Sequence, residues 1–240
     1  MFKVISPRVG RESAKALESY LNIQHPIERE VKFNWGCSVM MRHEAIDVWG
    51  NSLKAVARSV DKGVFFSLCK DLGTVPVVSK VEEYTPGCHY IHYDATGHNG
   101  SGVMYSYDEH RILSSIPDML VTRGITGQEF RVYFCYGTYK MYAKVPLTED
   151  TPHNPIQNSF NGYGYMPATP FLRKIEGLKQ VLTEQTKKVA SRLELFYGAV
   201  DFIMDNDYTV YILESNTAPT LFSEELCEMF ATNIVEVWNV

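Results

Sequence analysis

Gly198-Ala199-Val200-Asp201-Phe202-Ile203-Met204-Asp205-Asn206-Asp207-Tyr208-Thr209-Val210-Tyr211-Ile212-Leu213-Glu214-Ser215-Asn216-Thr217-Ala218-Pro219 is the stretch that decides how this chain is read. Two apolar runs, Ala199 to Met204 and Tyr208 to Glu214, flank Asp205-Asn206-Asp207, the composition of a strand–turn–strand hairpin. Glu214 and Asn216 are two residues apart on one strand and therefore share a face. Asp201 lies on the other strand, inside an apolar run where an unpaired carboxylate is costly. Two carboxylates and an amide oxygen converging from paired strands form a hard, all-oxygen donor set of the kind Mg2+ takes. The alternative is a strand-edge charge beside a polar turn.

Working backwards, Leu172 to Phe196 keeps a helical period through Ile175, Leu178, Val181, Leu182, Val189 and Leu193, which predicts one long helix. Residues 149–170 carry Pro152, Pro155, Pro167 and Pro170 among several Asn and Gly, and read as a long loop. Glu129 to Tyr136 and Tyr139 to Val145 form a second hairpin across Gly137-Thr138. Strand alternation puts Glu129 and Arg131 on one face, with Lys144 on the partner strand. Taken by itself, that trio reads foremost as a cross-strand salt bridge on a solvated face.

Gly97-His98-Asn99-Gly100-Ser101-Gly102 separates the strands Cys88 to Tyr93 and Gly102 to Tyr107, and such a glycine-rich loop can bring backbone N–H groups against phosphate. It lacks the Lys-Ser/Thr of a Walker loop and does not open a helix. Cys88, His89, His92 and His98 do not make a zinc site, since His89 and His92 would point to opposite faces of a strand and no Cys-x-x-Cys supports them. A nucleophile elbow is missing as well. Towards the amino terminus the pattern predicts a strand at Lys3 to Ile5, a helix with Leu17, Tyr20 and Leu21 on one face and Ser13 as its cap, a turn at Asn34-Trp35-Gly36, and a helix over 51–72.

With 240 residues, 45% of them hydrophobic, the chain can bury a sizeable core. Its net charge of −5 argues against binding nucleic acid by neutralising phosphates. The five scattered cysteines suit a reducing compartment, and no apolar run is long enough to span a bilayer, so a cytoplasmic protein without a membrane partner is expected. The fold class is α+β (mixed α/β).

In this order, the segments resemble the ATP-grasp superfamily of carboxylate–amine ligases. The Asp201…Glu214-Ser-Asn216-Thr-Ala-Pro219 segment looks like the metal-binding end of D-alanine–D-alanine ligases and ribosomal-protein glutamate ligases. Closer still is a branch with many phage and bacterial members. It shares Trp35-Gly36, the Gly97 to Gly102 loop, Glu129 to Val132, Asn158-Ser-Phe-Asn161-Gly162 and Gly198 to Asp201. The resemblance covers about residues 50–225. It implies an ATP-grasp fold with a small amino-terminal α/β lobe (1–50) and an ATP-grasp domain (51–240). The latter divides into a nucleotide-clasping part (51–120) and a catalytic part (121–240), each with an antiparallel sheet, the two clasping ATP.

The resemblance also implies roles. Asp201, Glu214 and Asn216 would hold one or two Mg2+ ions on the ATP phosphates. Glu129 would hold the ribose hydroxyls, and Leu120, Val121 and Thr122 would occupy the hinge whose backbone reads adenine. Lys62, Lys144 and the loop residues Gly97, His98, Gly100, Ser101 and Gly102 would meet phosphate. Arg131 would face the acyl phosphate, and Asn161 lies in the loop that closes over substrate, within 149–170. His92 stands nearest to where relatives carry Lys or Arg, and Thr220 where they carry Gly. The implied reaction activates a carboxylate with ATP and transfers it to an amine, each borne by a small molecule, peptide or protein. The alternatives are a nucleotide-binding relative without catalysis and, further off, an ordinary α+β scaffold.

Overall fold

The structure is a computed structural model that describes residues 1–40, 47–78, 80, 83–85, 88–93, 103–107, 109–115, 119–151 and 161–239. Its first unit is a parallel sheet, β1 (Phe2–Ile5), β2 (Val31–Asn34) and β3 (Val48–Gly50), with helix α1 (Arg11–Gln24) crossing from β1 to β2. Ser13 is not the cap of α1. A 3-10 turn, Arg8–Gly10, leads straight into the helix, and the buried Ser13 hydroxyl instead accepts a bond from the Leu221 amide at 3.1 Å.

The helix expected over 51–72 is two helices, α2 (Leu53–Val60) and α3 (Lys62–Cys69), followed by a 3-10 turn at Lys70–Leu72. Asp61 causes the break, because its carboxylate accepts from the Val64 amide at 2.9 Å and so caps a new helix rather than continuing the old one. A four-stranded antiparallel sheet follows, built from β4 (Val77–Val78), β5 (Tyr90–Tyr93), β6 (Val103–Ser106) and β7 (Leu120–Arg123) in the order β4-β7-β5-β6. Helix α4 (Glu109–Ser115) packs on it, its Ile112 in one core with Val78, Tyr90 and Val121.

The largest sheet is antiparallel, with the order β10-β9-β8-β11-β12. Its strands are β8 (Gly127–Cys135), β9 (Thr138–Pro146), β10 (Tyr163–Pro167), β11 (Tyr197–Asp205) and β12 (Val210–Asn216). Tyr136 and Gly137 turn β8 into β9 with φ of 45° and 94°, the positive pair that a tight hairpin requires. The 149–170 segment is not a loop throughout. Tyr163 to Pro167 pair with Tyr142 to Pro146 as an edge strand, where prolines are tolerated at the strand end. Residues 152–160 lie outside the described residues, as do Gly97, His98, Gly100, Ser101 and Gly102.

The single helix expected from Leu172 to Phe196 is α5 (Thr169–Lys174) and α6 (Leu178–Leu193), parted at Gly177, whose φ of +76° no helix accommodates. Helices α2, α3 and α6 cover one face of the five-stranded sheet, packing Ala55, Phe65, Leu182 and Val189 against Phe130, Val132, Val200 and Phe202. On the opposite face, Tyr133, Cys135, Tyr197 and Ala199 join Phe33 and Trp35 of the amino-terminal sheet and Phe230 and Ile234 of α7 (Glu224–Trp238). The two units meet closely at Gly36 (φ +82°), where an added Cβ would stand 2.6 Å from Ala218 Cβ. Among the described residues, no helix is long and apolar enough to cross a membrane.

Candidate active site

Strand alternation divides β8 into Phe130, Val132 and Phe134 on the helix-covered face and Glu129, Arg131, Tyr133 and Cys135 on the other. One end of that second face is an aromatic core; the other end is ionic. In the ionic part Arg131 lies directly across from Asp201 of β11. Its Nε donates to Asp201 Oδ1 and its Nη2 to Asp201 Oδ2, both at 2.6 Å, a two-pronged pair. Pairing slips by one residue after Asp201, which faces Glu214 while Phe202 faces Ile212. Leu213 is therefore the extra residue of a bulge, and Glu214 is aimed to the same side as Asp201.

Three acids and three cations interlock here. Lys62, the first residue of α3, pairs with Glu214, and Lys144 of β9 pairs with Glu129. Asn216 Nδ2 donates to Asp201 Oδ2 at 3.1 Å and to Glu214 Oε1 at 3.3 Å, which ties the two carboxylates together. Ser59 and Ser215 contact each other through their hydroxyls at 2.7 Å, fixing α2 on β12 and so delivering Lys62 one turn later. Asp201 and Glu129 are buried, at 4% and 7% exposure, so the Glu129–Arg131–Lys144 trio is not a solvated surface pair. Charges this deep persist only because each has a partner.

The electrostatics follow the packing. Burial works against the charge on Glu214, but the Lys62 ammonium, with Arg131 and Asn216, outweighs it and holds the carboxyl at about 2. Burial pushes the Glu129 carboxyl up; Lys144 opposes this, while the nearby charges of Asp201 and Glu214 add to it. For Arg131, burial is overcome by Asp201, and its guanidinium stays protonated well beyond the ordinary arginine range.

Tyr165 of β10, within the stretch whose composition predicts a loop, completes the site. Its ring lies 5.0 Å from the Arg131 guanidinium carbon and 5.8 Å from Lys144 Nζ. Phe222, 42% exposed, stacks on it at 5.3 Å with 3° between the rings. Alternation of Tyr163 and Tyr165 was the available signal, obscured by the surrounding Pro, Gly and Asn.

Lys62, Glu129, Arg131, Lys144, Asp201, Glu214 and Asn216 thus meet in one place. Asn161 lies just before β10, beyond the Glu129–Lys144 end of the cluster rather than within it. His92 does not join them. It pairs with Val121 and Met104 in mid-sheet, is 1% exposed, and shares a face with Val121 and Tyr90, the side packed by α4. Burial, with Arg111 nearby, pulls its imidazole below the ordinary value and keeps it neutral, unlike a phosphate-binding cation. Leu120, Val121 and Thr122, the segment expected to read adenine, lie in β7. Val121 and Thr122 are paired to β5 on one side and β4 on the other, so their backbone groups are committed to the sheet. The segment 124–126 joins the two sheets, with the Gly124 N–H donating to the His89 carbonyl at 2.8 Å.

The donor set fits Mg2+. Among the described residues, no three His, Cys, Asp or Glu side chains cluster as a metal site. Asp201 and Glu214 would instead offer few and hard ligands, joined by the Asn216 oxygen once its amide turns from the N–H donation to both carboxylates, as a magnesium site shared with phosphate requires.

No protein-family model matches the sequence, and comparison with curated proteins gives no match. Solved structures do match. The chain is similar to D-alanine–D-alanine ligase from Bacillus anthracis, with TM-score 0.68 and 13% identity, covering 99% of this chain and 98% of that one. It is similar to the ATP-grasp ligase PsnB complexed with minimal precursor, with TM-score 0.65, 14% identity, and 98% and 99% coverage. N5-carboxyaminoimidazole synthetase from Staphylococcus aureus, complexed with ADP, matches with TM-score 0.60 and 14% identity over 85% of this chain and 59% of that one. The fold is therefore the ATP-grasp fold, in its mixed α+β form.

Proposed function

We infer that the protein is an ATP-dependent ligase that converts a substrate carboxylate to an acyl phosphate and joins it to an amine, releasing ADP and phosphate. The observation that carries this reading is the buried cluster of Glu129, Arg131, Lys144, Asp201, Glu214, Asn216 and Lys62 on one face of an ATP-grasp sheet. A fold needs no such cluster for stability, since apolar replacements of buried ion pairs are often as stable.

Each residue has a task in the reaction. Glu129 accepts from the ribose hydroxyls, and the 124–126 connector offers its backbone to adenine. Lys62 and Lys144 exchange their carboxylate partners for the phosphates, and Arg131 faces the acyl phosphate as it forms. Asp201, Glu214 and Asn216 hold Mg2+, which when bound spreads the phosphate charge. Water has to be kept from the acyl phosphate, which it would hydrolyse. The lobe of residues 1–50 shapes the substrate end, because Gly10 and Gly36 pack on Ala218 just beyond Asn216. The four-stranded sheet covers the nucleotide.

The test follows ADP release with Mg-ATP against a panel of carboxylates and amines, and identifies the condensation product by mass spectrometry. ADP release that requires both co-substrates, with a matching amide product, is expected. Release of ADP by no pair, in a protein that still binds Mg-ATP, would leave nucleotide binding without ligation.

A further inference from the structure

Within that ligase reading, on which this inference rests, the cations of the site face a mechanical problem. In the structure, Arg131 is held by Asp201 and Lys144 by Glu129. Those acids are the groups the reading assigns to Mg2+ and to ribose. Once nucleotide and metal take the acids, each cation loses the partner that fixes it, at the moment it must be aimed at phosphate. One contact is common to both cations and cannot be taken by either ligand. The Tyr165 ring lies 5.0 Å from the Arg131 guanidinium carbon and 5.8 Å from Lys144 Nζ. Its backbone stands directly opposite Lys144 in the β9–β10 ladder, and Phe222 stacks on its ring at 5.3 Å. An aromatic ring attracts a cation through its quadrupole without neutralising it, so the cation keeps its charge for phosphate.

We propose that Tyr165 is the positioning residue for the phosphate-facing cations, a neutral anchor that holds Arg131 and Lys144 while their acidic partners are reassigned. The ring, rather than the hydroxyl, does this work. Tyr165→Leu removes the ring; Tyr165→Phe keeps it.

Calorimetric titration of Mg-ATP, and separately of AMP, into wild type and both variants decides the matter. AMP has the ribose and adenine contacts but lacks the terminal phosphates. Tyr165→Leu is expected to weaken Mg-ATP roughly tenfold, the scale of a partly desolvated cation–π contact, and to leave AMP unchanged. Tyr165→Phe should recover most of that loss. If Tyr165→Leu does not fold, Phe222→Ser strips the ring's backing and should give the same selective loss to a smaller degree. Equal weakening of AMP and Mg-ATP would make Tyr165 merely structural, and unchanged Mg-ATP affinity in Tyr165→Leu, or a Phe variant as weak as Leu, would overturn the proposal. A wild type that binds AMP and Mg-ATP equally would refute the assignment of Arg131 and Lys144 to phosphate, and this inference with it. Normal Mg-ATP binding without ligation would sink the ligase reading alone.

Discussion

The five-stranded and four-stranded sheets both bury polar side chains, and they treat them in opposite ways. In the larger sheet every buried charge has an internal partner, from Arg131–Asp201 to Lys144–Glu129 and Lys62–Glu214. In the smaller sheet the His92 ring nitrogens and the Thr122 hydroxyl are buried with no hydrogen-bond partner among the described residues. The difference lies in ionisation. An ionised group in a protein interior is tolerated only when compensated, whereas a neutral imidazole or hydroxyl left unpaired costs about 1–3 kcal/mol. Mutual compensation makes the larger sheet a preorganised charge cluster, while the smaller one is a packed wall with two weak points.

The contrast is broken or sharpened first by the cluster's acids. Asp201→Asn and Glu214→Gln should each reduce Mg-ATP turnover by about a hundredfold or more, since each removes a charge that the proposed phosphoryl transfer uses. Steady-state ADP release measures this, and rates near wild type for both would detach the cluster from catalysis.

Next in size is stability. Arg131→Met leaves the buried Asp201 without its charged partner, keeping only the Asn216 amide, and should cost about 3–5 kcal/mol in urea unfolding. The double change Arg131→Met with Asp201→Leu should recover much of it, because no charge is then left alone. A loss below about 1 kcal/mol for the single variant would mean that water reaches Asp201 freely.

The smallest effect belongs to the four-stranded sheet. Folding holds the His92 proton affinity below its ordinary value of 6.5, chiefly by burial and then by the charge of Arg111. The unfolded chain therefore binds more protons on acidification, so stability is fully present above pH 6.5 and declines as pH falls below it. His92→Leu should flatten this part of the pH–stability profile and change stability at pH 8 by no more than about 1–2 kcal/mol in either direction. An unaltered slope in His92→Leu would show that other groups set it.

Hairpins and the acidic face were legible in the sequence because strand alternation and turn residues act locally. Glu214 and Asn216 could be placed on one face from their spacing, but Asp201 joins them only through the bulge at Leu213, which spacing does not reveal. Breaks at Asp61 and Gly177 were missed because apolar periodicity runs across both, while the cap and the left-handed residue that interrupt it are single positions. Edge strand β10 was hidden by prolines, and Tyr165 with it. For His92 the position along the strand was legible, but not which face α4 covers. That depends on packing between segments distant in sequence, as does the delivery of Lys62 to Glu214 by the contact of Ser59 with Ser215.

Binding of Mg-ATP, followed by calorimetry on wild type and on Glu214→Gln, tests most directly whether this charge cluster is a nucleotide site. Wild type should bind one Mg-ATP per chain, and Glu214→Gln, still folded by thermal melting, should bind it at least about tenfold more weakly. No binding by wild type, or equal binding by both, would contradict the account.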